Sequence, residues 1–425
     1  MFTKRITLLL FSGIFIFAMC VIGCSQEIEK SPTRKKIDLD ESLMWSRFFL
    51  PKTNLVYECL SSFDEKTCQN HLPTADEVKR QFPNPCGYAT GMEDCAILGG
   101  TVLAGLVDKY NAQQKYFDRT SANARKILDG LDTLVQPDGF VARGLCPEDK
   151  KSFYINSSID QYTHLVHGMW KFYNSPMSNS ADKKKIANAL TRISERLIRN
   201  VKKENDYCSL RADGKPCALR ISRFTFEKPH AAARQAMIYG ATWQATGDKK
   251  YYDLYRNLIY DAIKVSEEIK ITGWTPIWAM LQMQFSLETL RDLEQDQALK
   301  KRIIDLMQKV ADLSNTQSKR VAKKFENSEL ETLYGDWRNP PEWRDQMGYS
   351  IPKLGKSREV WRAIRETGEL PLIASHAPYN FPNEILAIYK NALEKVDPTR
   401  CASCGIIFHW ATYWSLQANK KGVIE

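Results

Sequence analysis

The sequence lacks the short motifs that mark several large enzyme classes. It contains no phosphate-binding P-loop, no glycine-rich dinucleotide fingerprint, no G-x-S-x-G nucleophile elbow and no H-E-x-x-H zinc motif. P-loop nucleotide hydrolysis, Rossmann-type redox chemistry, α/β-hydrolase chemistry and zincin proteolysis are therefore not expected. We predict a protein with no cofactor and no resident metal ion.

Sustained alternation of polar and apolar residues, which marks half-buried β-strands, is also lacking. Apolar residues instead recur at helical spacing, as Ile186, Leu190, Ile193 and Leu197 do. We therefore expect no major sheet. Helical patterns predict eleven helices, at residues 90–109, 121–135, 158–173, 180–202, 229–245, 249–270, 275–293, 297–318, 357–366, 383–394 and 406–418.

The predicted helices alternate between two kinds. One kind is apolar nearly all round and carries glycine, alanine and aromatics, whereas the other has an apolar stripe and a charged face. The successive pairs 158–173 with 180–202 and 229–245 with 249–270 show this best. A buried helix followed by a surface helix is what a double ring of helices requires. We predict an all-α fold, an α/α toroid over residues 41–425, with an irregular α-solenoid as the alternative.

The first residues have the pattern of an export signal. Lys4 and Arg5 precede a mainly apolar run from residue 6 to residue 22, which leads to Cys24. The run is marginal for a helix that spans a membrane. Its ending resembles a bacterial lipobox, which implies cleavage after residue 23 and a lipid on Cys24. We expect a lipoprotein signal over residues 1–23; an ordinary cleaved signal or an uncleaved anchor is the alternative.

The residues after Cys24 are polar and charged, and we expect a lipid-anchored tether over residues 24–40. Ser25 follows the cysteine where an aspartate would favour the inner membrane, so the resemblance implies the outer membrane, at its periplasmic face or the cell surface. The formal net charge of +10 is spread along the chain and is most simply explained by solvated helix faces. We expect acidic ligands and a membrane contact through the anchor, but no nucleic-acid partner.

Nine cysteines follow Cys24, and eight of them form pairs that are close in sequence. Exported proteins can keep disulfides, so we expect local bridges in the first three pairs. The last pair is expected to be a tight bridge or two free thiols, and Cys146, left over, could replace a member of any pair. The pairs are Cys59–Cys68, Cys86–Cys95, Cys208–Cys217 and Cys401–Cys404.

Three groups of polar residues stand where a core would favour leucine. Asp160, His164 and His167 are spaced i, i+4 and i+7, so they share one helix face, with Tyr162 between them. A carboxylate beside an imidazole raises its basicity, as acid–base catalysis needs. These four residues are candidate catalytic residues. A buried Asp–His pair that only satisfies itself, or a metal site, is the alternative.

The second group lies at the start of a predicted inner helix. His230 is a further candidate catalytic residue, and Arg234 lies one turn later, where a helix N-terminus favours anions. Arg223 lies just upstream, and a salt bridge from this group to Glu227 or to a neighbouring helix is the structural alternative. The candidate substrate-binding residues of this group are Arg223, Arg234, Tyr239 and Trp243.

The third group is aromatic and basic. Trp337, Arg338 and His376 are candidate substrate-binding residues, because rings stack on sugar faces and arginines bind carboxylates. Trp274 and Trp278 are expected to extend this wall, although buried tryptophan is commonly just core. Separately, the adjacent acids Glu93 and Asp94 open a predicted inner helix and could supply a general acid or bind sugar hydroxyls.

The stretch Gly139–Gly144, leading into the helix with Asp160 and His164, resembles six-hairpin glycan-active enzymes, which are common among Bacteroidetes lipoproteins. Residues 85–245 look like the lyases that cleave rhamnose from glucuronate. The resemblance implies an α/α toroid and action on acidic glycans.

The first functional hypothesis is a polysaccharide lyase that acts by β-elimination. Two arginines would neutralise the substrate carboxylate, a histidine would remove a proton, and a tyrosine would protonate the leaving oxygen. The candidates are Arg223 and Arg234, then His164, His167 or His230, then Tyr162 or Tyr239.

The second hypothesis is a glycoside hydrolase with two carboxylates, chosen from Asp94, Asp160 and Asp336. The third is a glycan-binding lipoprotein without catalysis. Acids that face each other across a cavity favour hydrolysis, whereas a histidine, an arginine and a tyrosine without facing acids favour elimination.

Overall fold

The computed structural model describes residues 30–114, 117–270, 275–330, 333–379 and 381–421. These residues form fourteen α-helices, a π-helical turn at Met44–Phe48 and two antiparallel two-stranded hairpins. The helices are α1 (Pro32–Leu43), α2 (Ala75–Lys79), α3 (Cys95–Ala112), α4 (Phe117–Leu134), α5 (Ile159–Tyr173), α6 (Ser180–Asn200), α7 (Arg234–Thr246), α8 (Lys249–Ser266), α9 (Ile277–Leu293), α10 (Gln297–Asn315), α11 (Ser318–Glu326), α12 (Ser357–Ser375), α13 (Asn383–Lys395) and α14 (Ser403–Ala418). The strands are β1 (Phe49–Leu50), β2 (Leu55–Val56), β3 (Glu342–Gln346) and β4 (Tyr349–Lys353).

Six helices form a closed inner ring. In the order α3, α5, α7, α9, α12 and α14, each packs against the next, and α14 packs back against α3. The helices α4, α6, α8, α10, α11, α13 and α1 lie outside this ring and pack against it or its neighbours. The predicted α/α toroid is therefore confirmed, and the solenoid alternative is wrong because a solenoid does not close.

The composition of each helix decides its ring. In α3 every residue from Cys95 to Asp108 is buried, and in α14 so is every residue from Ser403 to Leu416. In α6, by contrast, burial follows the stripe of Ile186, Leu190, Ile193 and Leu197. A helix that is apolar all round can only lie inside, and one with a charged face must meet water. None of the described helices combines the length and apolarity needed to cross a membrane.

The six inner helices run parallel, with their N-termini at one end of the ring. The first turn of α7 belongs to this end because Arg234 contacts Asp160. Parallel helices present the positive ends of their dipoles together, which favours negative charge at that end. The residues at the other five N-termini line a single cavity; they are Asp94, Asp160, Trp278, Arg358 and Cys404.

Helices α3 and α5 approach each other more closely than any side chain would allow. A Cβ atom added at Gly100 would overlap the backbone carbonyl of His164, and one added at Gly168 would overlap the backbone of Gly100. The two glycines therefore let the backbones touch. This contact fixes Asp94 and Asp160, at the N-termini of the two helices, beside the same cavity.

The N-terminal boundary of the domain differs from the prediction. The expected tether over residues 24–40 is wrong from Pro32 onward, because α1 begins there with Pro32 in its first turn and Ser31 accepting a hydrogen bond from the Arg34 amide at 3.2 Å. Ile37 and Leu43 are buried, and α1 packs against α14. The predicted signal and Cys24 lie outside the described residues.

The expected disulfides are a further correction. All nine cysteines of the described residues are free and buried. Nearness in sequence does not aim two sulfur atoms at each other: Cys59 lines the cavity together with Cys404, whereas the thiol of its expected partner Cys68 donates to the carbonyl of Arg47 at 3.5 Å. Cys146, the predicted odd cysteine, donates to another backbone carbonyl.

Several helix bounds also differ. The helix predicted at 229–245 begins only at Arg234, and the one predicted at 357–366 continues to Ser375 through Pro371. The segment predicted at 297–318 ends as α10 at Asn315. The short helices α2 and α11 were not predicted, because helices of 5 and 9 residues hold too few turns for a clear periodic pattern.

We predict that Gly100→Ala lowers the free energy of unfolding by about 3 kcal/mol, because the new Cβ must push apart two packed helices. Gly335→Ala is the matched control, since a Cβ there would meet only the Leu354 side chain at an ordinary 3.7 Å. Urea unfolding followed by circular dichroism measures both. Equal stabilities of the two variants would contradict a tight contact between α3 and α5.

Candidate active site

A cavity of about 500 Å³ opens where the inner helix N-termini meet. Its walls combine acids, cations and aromatic rings, a mixture typical of a site that binds a polar ligand rather than of a core. The acids are Glu58, Glu93, Asp94, Asp160, Glu366 and Glu369; the cations are Arg143, Arg320, Lys324, Arg358, Arg362 and Arg365; the aromatic residues are Tyr88, Trp278, Tyr334 and Trp361.

Asp94 is the residue before the first turn of α3, but its carboxylate does not cap that helix. Its Oδ1 instead accepts a hydrogen bond from Gln161 Nε2 at 2.9 Å, and the guanidinium groups of Arg143 and Arg365 lie 3.6 and 3.9 Å from its two oxygens. The side chain remains 20% exposed to the cavity. Asp94 is therefore oriented by its neighbours yet accessible to a ligand.

Glu93 lies beside Asp94 but is more deeply buried. Its Oε2 accepts a hydrogen bond from the Ala89 amide at 2.9 Å, and Arg358 Nη2 lies 3.2 Å from Oε1. The backbone carbonyl of Glu93 accepts further hydrogen bonds, from Arg143 at 2.9 Å and from Gln161 at 3.0 Å. These contacts make Glu93 a fixed part of the wall.

Glu58 follows β2 and faces the same acids. Its backbone amide donates to the carbonyl of Gly91 at 3.0 Å, which ties it to the loop that carries Glu93 and Asp94. Burial, together with the charges of Asp94 and then Glu93, raises the pKa of Glu58 to about 8, against the opposing effect of Arg365 and Arg358. Glu58 is thus largely protonated near neutral pH, as a general acid must be.

Arginines of α12 balance this concentration of acids. Arg365 Nε donates to Glu369 at 2.7 Å, and its guanidinium lies 4.6 Å from the ring centroid of Phe408. Although burial opposes it, the negative charges of Glu369 and Asp94 raise the pKa of Arg365. The buried carboxylates are thus paired, which is what makes their burial tolerable.

Asp160, like Asp94, is a predicted catalytic carboxylate that lines the cavity. Arg234 holds it at 2.6 Å and also donates to Gln282 at 2.6 Å. The predicted role of Arg234 in binding substrate is wrong, because its side chain is fully buried behind Asp160. Arg234 instead orients Asp160.

The predicted histidine site is wrong in its location. His164 is buried within the ring, where Nδ1 lies 3.0 Å from Thr101 Oγ1. His167 Nε2 lies 2.7 Å from Glu288 Oε2, and its ring stacks on Phe285 at 4.1 Å. Burial lowers the pKa of both imidazoles, and neither lines the cavity.

Three other predicted residues of the elimination hypothesis also lie elsewhere. Tyr162 is fully buried, and its hydroxyl accepts from the Val141 amide at 3.4 Å. His230 is half-buried outside the cavity, where desolvation and Arg234 lower its pKa to about 4. Arg223 forms ion pairs with Asp206 and with Glu227, the alternative considered from the sequence.

The remaining aromatic and basic candidates are structural. Tyr239 is buried, and Trp243 packs at 4.8 Å on Tyr252 of α8, on the outer side of α7. Trp337 is fully buried and donates to the His71 carbonyl at 2.6 Å. None of these three residues lines the cavity.

Two more of these candidates are held by carboxylates. Arg338 makes a bidentate pair with Glu77, at 2.6 and 2.8 Å. His376 lies 3.2 Å from Glu288, at the end of the ring opposite the cavity, so its predicted substrate contact is also wrong. Asp336 is exposed outside the cavity and lines none of it.

Trp278 does line the cavity, whereas Trp274 lies outside the described residues. Among the described residues, no group of three or more histidines, cysteines or acids is arranged to hold a metal ion. The sequence allowed a metal site formed by Asp160, His164 and His167. In the structure these three side chains contact three different partners, Arg234, Thr101 and Glu288 respectively.

Sequence reasoning missed the residues that define the cavity most strongly. Glu58 lies in a loop without a motif, so only the fold reveals its neighbours. The three arginines of α12, by contrast, leave a signal: Arg358, Arg362 and Arg365 are spaced i, i+4 and i+7 on one face of a helix that is otherwise largely buried.

No family model matches the sequence, and no curated protein matches it either. Among solved structures, a sugar epimerase from a ruminal bacterium is similar, at 13% identity and a TM-score of 0.49, covering 92% of this chain and 99% of that chain. A glycoside hydrolase family 76 mannosidase from Bacteroides thetaiotaomicron is also similar, at 11% identity and a TM-score of 0.47, covering 91% of this chain and 99% of that chain. Both scores lie below 0.5, so the fold class rests on the closed ring of inner helices.

We predict that Glu58 makes stability depend on pH. Because its pKa rises from an ordinary 4.5 to about 8 on folding, its contribution is fully present below pH 4.5 and is lost as pH rises through 8. Between those pH values, the unfolding free energy of the wild type should fall relative to that of Glu58→Gln by on the order of 4 kcal/mol. The exposed Glu359→Gln is the control, and its curve should parallel the wild type. A parallel curve for Glu58→Gln would contradict a raised pKa.

Proposed function

We propose that this protein is a glycoside hydrolase that acts on acidic glycans. The observation that carries the proposal is the grouping of Glu58, Glu93 and Asp94 in one open cavity, where the pKa of Glu58 is raised to about 8. Hydrolysis of a glycosidic bond uses such a pair, one carboxyl group as the acid and the other as nucleophile or base. The pair considered from the sequence included Asp94 but not Glu58.

Each carboxyl group has a distinct role in this proposal. Glu58 donates its proton to the glycosidic oxygen as the bond from that oxygen to the anomeric carbon breaks. Gln161 and Arg365 orient Asp94. Asp94 acts either as the nucleophile that attacks the anomeric carbon or as the base that activates the attacking water. Water supplies the hydroxyl group of the new reducing end and returns a proton, so the acid is restored.

The aromatic residues of the cavity support a sugar ligand. Tyr334 stacks on Trp361 at 4.7 Å, and Tyr88 lies under the guanidinium of Arg143 at 5.0 Å. Trp278 is 37% exposed at the cavity. An exposed indole at a polar cavity can stack on the apolar face of a sugar ring.

The arrangement gives less support to elimination. That reaction needs a base placed at the proton next to the carboxylate, and the expected bases were His164, His167 and His230. No histidine lines the cavity among the residues described. Several acids line the cavity instead, so the hydrolase hypothesis replaces the lyase hypothesis as our main proposal.

We predict that Glu58→Gln and Asp94→Asn each lower kcat/KM for glycan hydrolysis by about 10³-fold, because each removes one half of the carboxyl pair. Asp336→Asn, which changes an exposed carboxylate outside the cavity, is the matched control and should keep wild-type activity. New reducing ends and the absorbance of an unsaturated uronate are followed together on a panel of uronic-acid glycans.

Three outcomes of that assay would contradict the proposal. Unsaturated product formed in the same amount as the new reducing ends would establish elimination, because that reaction yields one of each for every bond cleaved. Full activity of both cavity variants would place the chemistry elsewhere. Glycan binding without any product across the panel would favour a binding protein.

We further propose that the chain is an outer-membrane lipoprotein anchored through Cys24. The support is the sequence alone: the charged start, the apolar run and the lipobox-like ending at Gly23 and Cys24. An anchor on the N-terminal side would leave the cavity free to meet large glycans, since α1 lies on the outer ring.

We predict that Cys24→Ser abolishes the incorporation of labelled palmitate and releases the protein from the membrane fraction. The reason is that the only proposed attachment atom is the Cys24 sulfur. Cys20→Ser, which changes a cysteine within the signal, is the control and should leave labelling intact. An unlabelled wild-type protein would contradict the proposal.

A further inference from the structure

One wall of the cavity carries more positive charge than its own acids neutralise. We call it the basic rim and define it by Arg320, Lys324, Arg362 and Glu366, all of which line the cavity. Arg320 and Lys324 lie one turn apart on α11 and share a single carboxylate, Glu366 of α12, at 3.4 and 3.1 Å. Three cations therefore stand beside one acid.

Arg362 is the cation of the rim that lacks a counter-ion. Among the residues that the structure describes, no carboxylate lies within ion-pair distance of its guanidinium. Its neighbours on the same helix face are different: Arg358 pairs with Glu93 and Arg365 pairs with Glu369. A helix that pairs two arginines and leaves the one between them open has a vacant anion-binding group at the cavity.

The surroundings of Arg362 make an anion favourable there. The side chain is exposed to the cavity, yet nearby protein displaces enough water that desolvation, together with the charge of Arg358, lowers its pKa. An anion would offset both effects. The converging N-termini of the six inner helices add a positive potential of the same sign.

The acids Glu93 and Asp94 line the same cavity but do not belong to the basic rim. Glu93 and Asp94 are contacted by Arg358, Arg143 and Arg365, so their charge is already balanced by fixed partners. The cavity therefore has a carboxyl pole for acid–base chemistry and a cationic rim. A substrate that spans both would present a glycosidic bond to the first and an anionic group to the second.

We propose that the basic rim recognises an anionic substituent, a sugar carboxylate or sulfate, and that Arg362 is the residue that determines this specificity. The inference rests on the proposed hydrolase function, because it assigns the anion to a sugar unit of the glycan that is cleaved. Arg362 would grip the two oxygens of the anion with its planar guanidinium. Arg320 and Lys324 would contribute through charge.

The test compares one glycan in two forms. Wild-type protein, Arg362→Met and Arg362→Lys are assayed on a glucuronate-bearing arabinogalactan and on the same material after its carboxyl groups are reduced to alcohols. We expect the wild type to prefer the carboxylated form, and Arg362→Met to lose about 30-fold in kcat/KM on that form and much less on the reduced form. Arg362→Lys should recover part of the preference, because it restores the charge but not the bidentate geometry.

A matched control keeps the result specific to the rim. Arg344→Met changes an exposed arginine on β3 that does not line the cavity, and it should retain the wild-type preference. Raising the salt concentration should reduce the preference of the wild type for the carboxylated over the reduced glycan, because salt screens an accessible ion pair. If the substituent is a sulfate, the preference and its dependence on Arg362 will appear instead with a sulfated oligosaccharide and its desulfated form.

Binding separates this inference from the proposed reaction. Calorimetric titration of Glu58→Gln protein with glucuronate-containing oligosaccharide should show binding that weakens with Arg362→Met added, whether or not the wild type hydrolyses the glycan. Such binding without hydrolysis would support the rim and overturn the hydrolase proposal. Equal preference of the wild type and Arg362→Met for charged and uncharged forms, in both assays, would overturn the rim.

Discussion

The feature on which the rest of the structure depends is the closure of six parallel inner helices into one ring. Closure requires α3 and α5 to touch through Gly100 and Gly168, since any side chain there would separate them. Parallel packing then brings all six N-termini to one end, and the ends that carry Asp94 and Asp160 meet at a common cavity. The site is thus a consequence of the ring, because the two acids lie more than 60 positions apart in the sequence and become neighbours only when it closes.

The acids of the cavity repel one another, and neighbouring arginines offset that repulsion. Glu58, Glu93 and Asp94 would repel one another in a partly buried space. Arg358 neutralises Glu93, and Arg365 neutralises Asp94. Glu58 remains protonated because burial, which raises its pKa, outweighs the arginine charges that lower it. The acids and arginines that form ion pairs stabilise the fold. The groups without an opposite charge are the ones to which we assign catalysis and substrate binding. The protonated acid and the open arginine of the basic rim are those groups.

The sequence predicted the architecture better than the site. Helical periodicity and the alternation of apolar with amphipathic helices follow directly from residue type, so the toroid could be predicted. The same periodicity correctly places His164 and His167 on one face, but it cannot say whether that face meets the cavity or the neighbouring helix; both histidines meet the core. Glu58 could not be predicted, because its raised pKa arises from burial and from the charge of Asp94, and only the fold creates both. The helical spacing of Arg362 with Arg358 and Arg365 is visible in the sequence, but the lack of a carboxylate partner for Arg362 is visible only in the structure.

The central claim is that Glu58 is a protonated acid whose state depends on the adjacent carboxylate, and its titration tests this most directly. Carbon-13 labelling of the glutamate carboxyl groups, with Glu58→Gln used to assign the resonance, follows the pKa by nuclear magnetic resonance without any substrate. The account predicts a pKa of about 8 in the wild type. It predicts a lower value in Asp94→Asn, because one source of repulsion is removed. A wild-type pKa near the ordinary 4.5, unchanged in Asp94→Asn, would contradict the account.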